Sequence, residues 1–372
     1  MKYAVINIGC KTNQYESDCI AARLNKEGHE AHSGFTQADC YVINTCCVTS
    51  EAERKSRQAI ARCLKKNPHA KVYVTGCAVE NNKRQFEGKA GIFEVDRHSL
   101  NSPAPNRTRA FVKIQDGCNA FCSYCIIPRV RGRSVSRGIQ SVVEECESIQ
   151  HKTGEIVLTG INISDFQPSL AALLRALKGI KTRIRLSSVD MPILDGELLE
   201  ACRGLQNFCP HFHLPLQSGD DGVLRDMNRK YTAAQFLAAV GKVREAFPTA
   251  GITTDIICGY PTETEQAFKN TLDTMSAAGF SDAHIFSFSA RPKTVAANLT
   301  PLSGGIVKRR AALAAELARQ LKTQWLQSWI GKRVEVLLES GNAGYTKEYI
   351  RVYAPASGTV VPKSLYKDGL MC

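Results

Sequence analysis

Apolar residues occur along this chain in short runs that alternate with longer stretches of helical periodicity. Three runs fall within the first hundred residues: Tyr3–Ile8, Asp39–Thr45 and Lys71–Gly76. Helices are predicted between them over about Ser17–Gly28 and Ser50–Asn67, the second opened by a capping box of Ser50 and Glu53. Strands that alternate with helices in this way predict an open parallel α/β domain over residues 1–100.

After a linker at Asn101–Thr108 the alternation resumes in longer units. Six further apolar runs predict strands at Phe111–Gln115, Glu155–Gly160, Arg183–Ser188, His211–Pro215, Ile252–Gly259 and Ala283–Ser289. Helical stretches separate them at Ile139–Lys152, Ser169–Leu177, Asp195–Leu205, Ala233–Phe247 and Glu263–Ala278. Six β/α units in succession predict an incomplete parallel (β/α)6 barrel over residues 107–299.

The last part of the chain changes character twice. Residues 300–330 hold a basic amphipathic helix, which we expect to pack on the barrel wall through a face that includes Leu313, Leu317, Leu321 and Trp325. From Gly331 onward the apolar runs are short: Arg333–Leu338, Tyr349–Tyr353 and Gly358–Val361. They predict a small antiparallel β module over residues 331–372, so the fold class is α/β with a β appendage.

Composition narrows the class of protein. The 372 residues are 44% apolar and 22% charged, which is typical of a globular protein. No stretch approaches the ~20 apolar residues of a membrane span, and the N-terminus lacks the features of a secretory signal, so we expect a cytoplasmic protein without a membrane partner. The net charge is +13, and the last 73 residues hold 11 basic and 5 acidic residues. This surplus indicates either a polyanionic partner or charge that serves solubility.

Three of the fifteen cysteines stand where predicted strands end. Cys10, Cys46 and Cys77 each follow one of the three strands of the first domain. Ligands of open parallel sheets bind at the carboxyl ends of the strands, so these thiols could converge on one site. The alternative is three buried structural cysteines. Cys47 lies next to Cys46 and offers a second thiol at the same strand end.

The strongest chemical signal is the spacing Cys118-x3-Cys122-x2-Cys125, directly after the first predicted barrel strand. Three thiolates can hold three irons of a [4Fe–4S] cluster and leave the fourth iron open for another ligand. A structural zinc site is the alternative, but it requires a fourth ligand nearby. The nearest downstream cysteine, Cys146, lies inside a predicted helix.

With this motif the chain resembles the radical S-adenosylmethionine (SAM) enzymes. Further segments resemble the methylthiotransferase family within them: GCKTNQYES, VINTCCVT, VTGCAVE, LTGIN, RIRLSS, HLPLQSGDD, ITTDIICGYPTET and FSFSARPKT. The resemblance implies an N-terminal α/β domain with a second [4Fe–4S] cluster, a radical SAM barrel and a C-terminal RNA-binding TRAM domain. It also implies a tRNA substrate and an electron donor such as a flavodoxin or ferredoxin.

The resemblance assigns roles to the cysteines. Cys118, Cys122 and Cys125 match the ligands of the catalytic cluster, whose open iron chelates SAM in the superfamily, and Tyr124 matches the aromatic residue before the third ligand. Cys10, Cys46 and Cys77 match the ligands of the second cluster. GCKTNQYES and NTCCVTSEAERKSRQ are most similar to the branch that acts on N6-threonylcarbamoyladenosine of tRNA. Isopentenyladenosine of tRNA, a ribosomal-protein aspartate, or a non-enzymatic RNA-binding role with structural metal remain alternatives.

Candidate cofactor and RNA contacts complete the prediction. A SAM pocket at the carboxyl ends of the barrel strands is expected to involve Gly160, Asn162, Ser188, Gln217 and Asp255. The alternative for these residues is a role in turns and loop hydrogen bonds. Contacts to tRNA phosphates are expected from basic residues after the cysteine motif and in the terminal module: Arg129, Arg131, Arg133, Arg137, Lys332, Arg333, Lys347 and Arg351. His211 and His213 are interpreted as core or pocket wall.

Overall fold

The computed structural model describes residues 1–97 and 107–372, and its first domain is built on a five-stranded parallel sheet. The strands are β1 (Lys2–Asn7), β2 (Glu30–His32), β3 (Cys40–Thr45), β4 (Lys71–Gly76) and β5 (Gly91–Ile92), in the order β2-β1-β3-β4-β5. The helices are α1 (Lys11–Lys26), α2 (Ser50–Lys66) and α3 (Cys77–Asn81). The predicted open parallel α/β fold is confirmed, and β2 and β5 are short additions at its edges.

Two helix starts differ from the prediction. Helix α1 begins at Lys11 rather than at the predicted Ser17. The prediction missed the first turns because their polar side chains, such as Thr12 and Asn13, are buried and give no apolar periodicity. Helix α2 is capped by Thr49, whose hydroxyl accepts a hydrogen bond from the Ala52 amide at 3.1 Å. The predicted capping box at Ser50 is therefore wrong by one residue.

The second domain is a partial barrel. Its strands are β6 (Arg109–Lys113), β7 (Gln115–Asp116), β8 (Val135–Ser136), β9 (Glu155–Thr159), β10 (Arg183–Leu186), β11 (His211–His213), β12 (Gly251–Cys258) and β13 (Asp282–Ser287). β7 and β8 form a small antiparallel ribbon. The others pair in parallel as β6-β9-β10 and β11-β12-β13, and a bridge between Ser188 and His213 joins the two halves. The predicted incomplete (β/α)6 barrel is confirmed.

The barrel is wrapped by helices that bury its outer face. They are α5 (Ile139–Ile149), α6 (Leu170–Ala176), α7 (Gly196–Arg203), α8 (Asp221–Asp226), α9 (Ala233–Ala246) and α10 (Glu265–Ala278). The short helix α4 (Ile127–Arg131) packs against the first domain instead. Fully buried apolar residues such as Leu158, Ile184 and Ile256 fill the space between strands and helices. The predicted linker at Asn101–Thr108 lies mostly outside the described residues.

Helix α11 (Gly304–Gln327) packs against β13 and connects the barrel to the terminal module. Leu317 and Leu321 of the predicted face pack against the barrel core, and Trp325 packs against the core of the terminal module. Leu313 departs from the prediction, since it is 46% exposed, whereas Ala314 and Ala318 are buried. Within residues 1–97 and 107–372, no helix combines the length and apolar character that crossing a bilayer requires.

The C-terminal module is a six-stranded sheet. Its strands are β14 (Val334–Ser340), β15 (Ala343–Tyr345), β16 (Arg351–Tyr353), β17 (Gly358–Val360), β18 (Ser364–Tyr366) and β19 (Gly369–Met371), in the order β17-β14-β15-β16-β19-β18. All pairs are antiparallel except β16 with β19, which departs from the predicted all-antiparallel module.

The module closes the amino-terminal end of the barrel. Arg183 and Arg185 at the barrel wall donate hydrogen bonds to the backbone carbonyls of Tyr345 and Lys347. The Glu348 carbonyl approaches the first residue of β12, Gly251, so closely that a Cβ there would lie 2.1 Å from it. The module is therefore an integral part of the barrel structure.

Candidate functional site

The first cysteine triad lies on one loop after the β7 ribbon. Cys118, Cys122 and Cys125 are all partly exposed at the carboxyl end of the barrel. The loop is shaped by Gly117, which has φ +71° and where a Cβ would lie 1.9 Å from the Arg133 carbonyl oxygen. Within the loop the Cys125 amide donates to the Cys122 carbonyl at 3.0 Å, and the Ala120 amide donates to Cys118 Sγ at 3.4 Å.

A buried cation lies beside this triad. The Arg229 guanidinium donates to Cys122 Sγ at 3.5 Å and to the Tyr231 hydroxyl at 3.0 Å, and it pairs with Asp190. Burial raises the pKa of Cys125 to about 12. Arg229 lowers the pKa of the same Cys125 in part, because a nearby cation favours the thiolate, the form that binds iron. Sequence reasoning missed Arg229, because nothing near it in the chain marks it as a neighbour of the cysteine loop.

The second triad comes from three separate strands. Cys10, Cys46 and Cys77 come after the ends of β1, β3 and β4, which are adjacent in the sheet, so the three cysteines lie at one edge of the sheet. Cys10 is exposed, whereas the other two are buried. Burial raises the pKa of Cys46 to about 11, and the neighbouring Cys77 and Cys10 contribute in the same direction.

The structure separates Cys46 from its neighbour Cys47. Cys47 is completely buried in the apolar core of the first domain, in the cluster that includes Ile60 and Val79. Burial and the nearby Cys77 raise its pKa. Cys46 interacts with both other thiols of the triad, and this placement favours Cys46 as the ligand.

The spacing of the thiols bears on the metal they could hold. Three ligand atoms of one tetrahedral zinc ion lie within about 4 Å of one another, given Zn–S distances of ~2.3 Å. Among the described residues, the only group of three side chains whose ligand atoms all lie within 4.8 Å is His213, Asp255 and His284. Neither cysteine triad has all three sulfur atoms within 4.8 Å of one another. In the histidine group, both ring nitrogens of His213 are used in contacts, to Asp255 and to Thr253.

A buried ionic network contacts the second triad and includes Asp116, two residues before Cys118 of the first triad. Arg131 of α4 donates from Nε to Cys77 Sγ at 3.2 Å and from Nη1 to Glu16 at 2.8 Å and to Asp116 at 3.0 Å. Lys113 Nζ contacts the same Asp116 at 3.0 Å. Burial would raise the pKa of Asp116, but Arg131 and Lys113 lower it to about 2.

This network corrects one prediction. The Arg131 side chain is 0% exposed, so the expected contact with a tRNA phosphate is wrong. The prediction failed because neighbours in sequence, Arg129 and Arg133, are exposed, and a basic run does not reveal which member turns inward. The same segment inserts Ile127 and Val130 into the core of the first domain, and Cys118 and Cys125 of the first triad pack against that core.

The predicted cofactor residues lie at the carboxyl ends of the barrel strands, apart from Asp255. Gly160 follows β9, and a Cβ there would lie 2.8 Å from Gln115 Oε1, which accepts hydrogen bonds from the amides of Ile161 and Asn162. Ser188 follows β10, and Gln217 follows β11 with φ +67°. The Asn162 side chain caps a short turn, and Tyr124 packs against the cluster that includes Met227 and Tyr260. Asp255 lies within β12 and contacts His213 at 3.2 Å.

The remaining basic candidates divide into free and paired cations. In the described part of the chain Arg129, Arg133, Lys332 and Arg333 are exposed and have no ion-pair partner. The Arg133 guanidinium lies 4.3 Å from the centre of the exposed Phe121 ring, inside the cysteine loop. In contrast, Arg137 pairs with Glu145, Lys347 with Glu335 at 3.1 Å, and Arg351 with Asp368 at 2.8 Å.

Family models match both large domains. The model described as "Radical SAM superfamily" covers residues 112–275, and the one described as "Uncharacterized protein family UPF0004" covers residues 2–95. The chain is 34% identical to the threonylcarbamoyladenosine tRNA methylthiotransferase MtaB of Chlamydia pneumoniae, over 98% of this chain and 94% of that protein. It is 31% identical to the tRNA-2-methylthio-N(6)-dimethylallyladenosine synthase of Endomicrobium trichonymphae, over 93% and 91%.

Solved structures support the fold alone. The radical S-adenosylmethionine methyltransferase TsrM from Kitasatospora setae, with cobalamin and a [4Fe–4S] cluster bound, superposes with a TM-score of 0.56 at 13% identity. The match covers 79% of this chain and 76% of that one. An α/β domain followed by a partial barrel is thus an arrangement that recurs at very low sequence identity.

Proposed function

The chain belongs to the radical SAM methylthiotransferase family, enzymes that transfer a methylthio group, and we propose that its substrate is N6-threonylcarbamoyladenosine of tRNA, modified at C2. The observation that carries the proposal is the presence of two cysteine triads, with Arg131 donating to Cys77 Sγ of the second triad and to Asp116, two residues before Cys118 of the first. Relatives that bear the threonylcarbamoyladenosine name support this branch. Dimethylallyladenosine is the second candidate, because relatives of nearly equal identity bear that name.

The chemistry explains why two triads are useful. The C–H bond at C2 of an adenine is not acidic, so a general base alone cannot activate this carbon. Radical SAM enzymes use a [4Fe–4S] cluster and SAM to supply a radical for such bonds. Cys118, Cys122 and Cys125 would hold that cluster, with Arg229 beside Cys122. Cys10, Cys46 and Cys77 would hold a second cluster that keeps the sulfur next to the reacting carbon.

The surroundings suggest how substrates are held. Gly160, Asn162, Ser188 and Gln217 would contact SAM at the carboxyl ends of the strands. The free cations Arg129, Arg133, Lys332 and Arg333 would contact tRNA phosphates, and the C-terminal module would act as a compact TRAM domain. Electrons would come from a flavodoxin or ferredoxin, and with tRNA as substrate the reaction would occur in the cytoplasm.

Mass spectrometry of tRNA nucleosides tests the substrate. Cells that lack the gene are expected to lose 2-methylthio-N6-threonylcarbamoyladenosine and to keep the isopentenyl counterpart. Loss of the isopentenyl counterpart, with 2-methylthio-N6-threonylcarbamoyladenosine retained, would instead establish dimethylallyladenosine as the substrate. About eight irons per chain are expected after reconstitution of two clusters. Zinc without iron would instead favour an RNA-binding protein with structural metal.

A further inference from the structure

A cavity of about 340 Å³ lies between the barrel and the C-terminal module, away from both cysteine triads' sulfur atoms. Its walls come from all three parts of the protein: Lys11 at the start of α1, His211 and Thr253 in the barrel, and Tyr349 in the module. The Tyr349 ring stacks on His211 at 4.6 Å and on Tyr345 at 4.7 Å. Lys11 directly follows Cys10, so one wall of the cavity comes from the residue next to the second triad.

The charges that line this cavity do not balance. Lys322 pairs with Asp282 at 2.7 Å, and Arg351 pairs with Asp368 at 2.8 Å. The exposed Lys11 ammonium has neither an ion-pair nor a hydrogen-bond partner in the described ranges. The nearby Arg109 and Arg185 are already paired, with Glu339 and Glu155. One positive charge is therefore left without a counter-charge.

A second group in the cavity also lacks a partner. His211 is 5% exposed, and its Nε2 contacts the Thr253 hydroxyl at 3.0 Å. Its Nδ1 is buried and has no hydrogen-bond partner among the residues that the structure describes. A buried polar atom without a partner is costly, so a ligand atom at this position would be stabilising. The Thr253 hydroxyl has one hydrogen and lies 2.9 Å from His213 Nδ1 as well. When His213, paired with Asp255 at 3.2 Å, carries hydrogens on both ring nitrogens, its Nδ1 donates to this hydroxyl and the hydroxyl donates to His211 Nε2. His211 Nδ1 then carries a hydrogen that can be donated to such a ligand.

We propose that this cavity binds the carboxylate of the threonyl group of the substrate, with Lys11 as the counter-charge and His211 as a second donor. The inference rests on the proposed function and adds the residues that determine its specificity. One unpaired cation and one hydrogen-bond donor between aromatic walls match a single carboxylate on a small polar chain. Threonylcarbamoyladenosine carries one such group, whereas an isopentenyl group is uncharged and apolar. Lys11 thus discriminates between the two modified adenosines.

Binding to short RNAs tests this without relying on turnover. The probes are two anticodon stem-loops that carry threonylcarbamoyladenosine, one with the free carboxylate and one with its methyl ester. The reconstituted wild-type protein is expected to bind the free acid about tenfold or more tightly, the size of one charge-assisted hydrogen bond. Lys11→Gln should remove this preference, and Lys11→Arg should restore most of it.

A matched control lies on the same helix. Lys26, at the exposed end of α1, has no ion-pair partner within the described chain, and Lys26→Gln should keep the full preference. The iron content of each variant is compared with that of the wild type, because Lys11 adjoins Cys10. An equal preference in wild type and Lys11→Gln would overturn the inference. An equal loss of affinity for the free-acid and methyl-ester stem-loops in Lys11→Gln would also overturn it, since Lys11 would then contact an RNA phosphate. Wild-type protein that modifies only isopentenyladenosine would instead overturn the proposed function.

Discussion

The two cysteine triads are built in opposite ways. Cys118, Cys122 and Cys125 come from eight consecutive residues on one loop, whereas Cys10, Cys46 and Cys77 come from three strands and meet only when the sheet forms. The geometry of the first triad depends on local turns such as that at Gly117. The geometry of the second depends on strand order and on the packing of the barrel against the first domain.

This difference shows where each triad is vulnerable. The loop triad is partly exposed and has one cation, Arg229, near one sulfur. The sheet triad is mostly buried, and Cys77 is tied through Arg131 to Glu16 and Asp116. A change far from the second triad in sequence, but inside this network, should therefore damage it more than the first triad.

Removing one ligand from each triad has the largest expected effect. Cys122→Ala should abolish 5′-deoxyadenosine formation, because the loop triad would hold the cluster that reduces SAM. Cys46→Ala should leave reductive cleavage of SAM measurable but stop methylthiolation. Both are measured by liquid chromatography of the products after reconstitution. Loss of 5′-deoxyadenosine in both variants would show that the triads do not have separate tasks.

Arg131→Met tests the link between the triads. It removes the cation that bonds both Glu16 and Asp116 and leaves Lys113 as their remaining counter-charge. The cost should therefore lie at the lower end, about 3 kcal/mol, of the roughly 3–5 kcal/mol for loss of one partner from a buried pair. The free energy of unfolding of the iron-free protein, measured in urea, should fall by about this amount. Iron bound after reconstitution should drop toward the content of the first cluster alone. Arg129→Met removes an exposed charge from the same helix and should change neither quantity; equal effects in both variants would contradict the role of the network.

Cys47→Ala sharpens the assignment within the second triad. The substitution removes a buried sulfur from the core of the first domain, so stability should fall by about 1 kcal/mol. Iron content should stay at the wild-type value, because Cys46 keeps its place near Cys10 and Cys77. A protein that loses the second cluster on Cys47→Ala, and retains it on Cys46→Ala, would reverse the assignment.

The smallest effect is expected from Lys332→Gln combined with Arg333→Gln. Both cations are exposed and unpaired within the described residues, so they can contact phosphates without a structural role. The slope of log Kd against log salt should fall by roughly 0.7–0.9 for each phosphate that the variant no longer neutralises. Both clusters should remain intact, as judged by iron content. An unchanged slope would place the RNA-binding cations elsewhere, with Arg129 and Arg133 as the next candidates.

Point variants are preferable to deletion of the module, since deletion would leave Arg183 and Arg185 without their carbonyl partners.

Features that depend on neighbouring residues could be predicted well. The spacing of Cys118, Cys122 and Cys125, the strand ends at Cys46 and Cys77, and the six β/α units follow from local patterns of residue type. The start of α1 was missed because its polar first turns are buried by tertiary contacts rather than by an apolar face. The N-cap of α2 lies at Thr49 rather than Ser50 because both residues can cap, and backbone geometry selects between them.

Local patterns along the chain thus specify the order of the elements, the parallel topology and the two cysteine sets, because hydrophobic periodicity and ligand spacing are properties of nearby residues. Which cations are buried and which are free depends instead on the folded arrangement. Arg131 turns inward between two carboxylates, and Lys11 faces a cavity without a counter-charge, although both are ordinary basic residues in the sequence. The physical reason is that a charge is stabilised or left unpaired by groups that folding brings from distant parts of the chain.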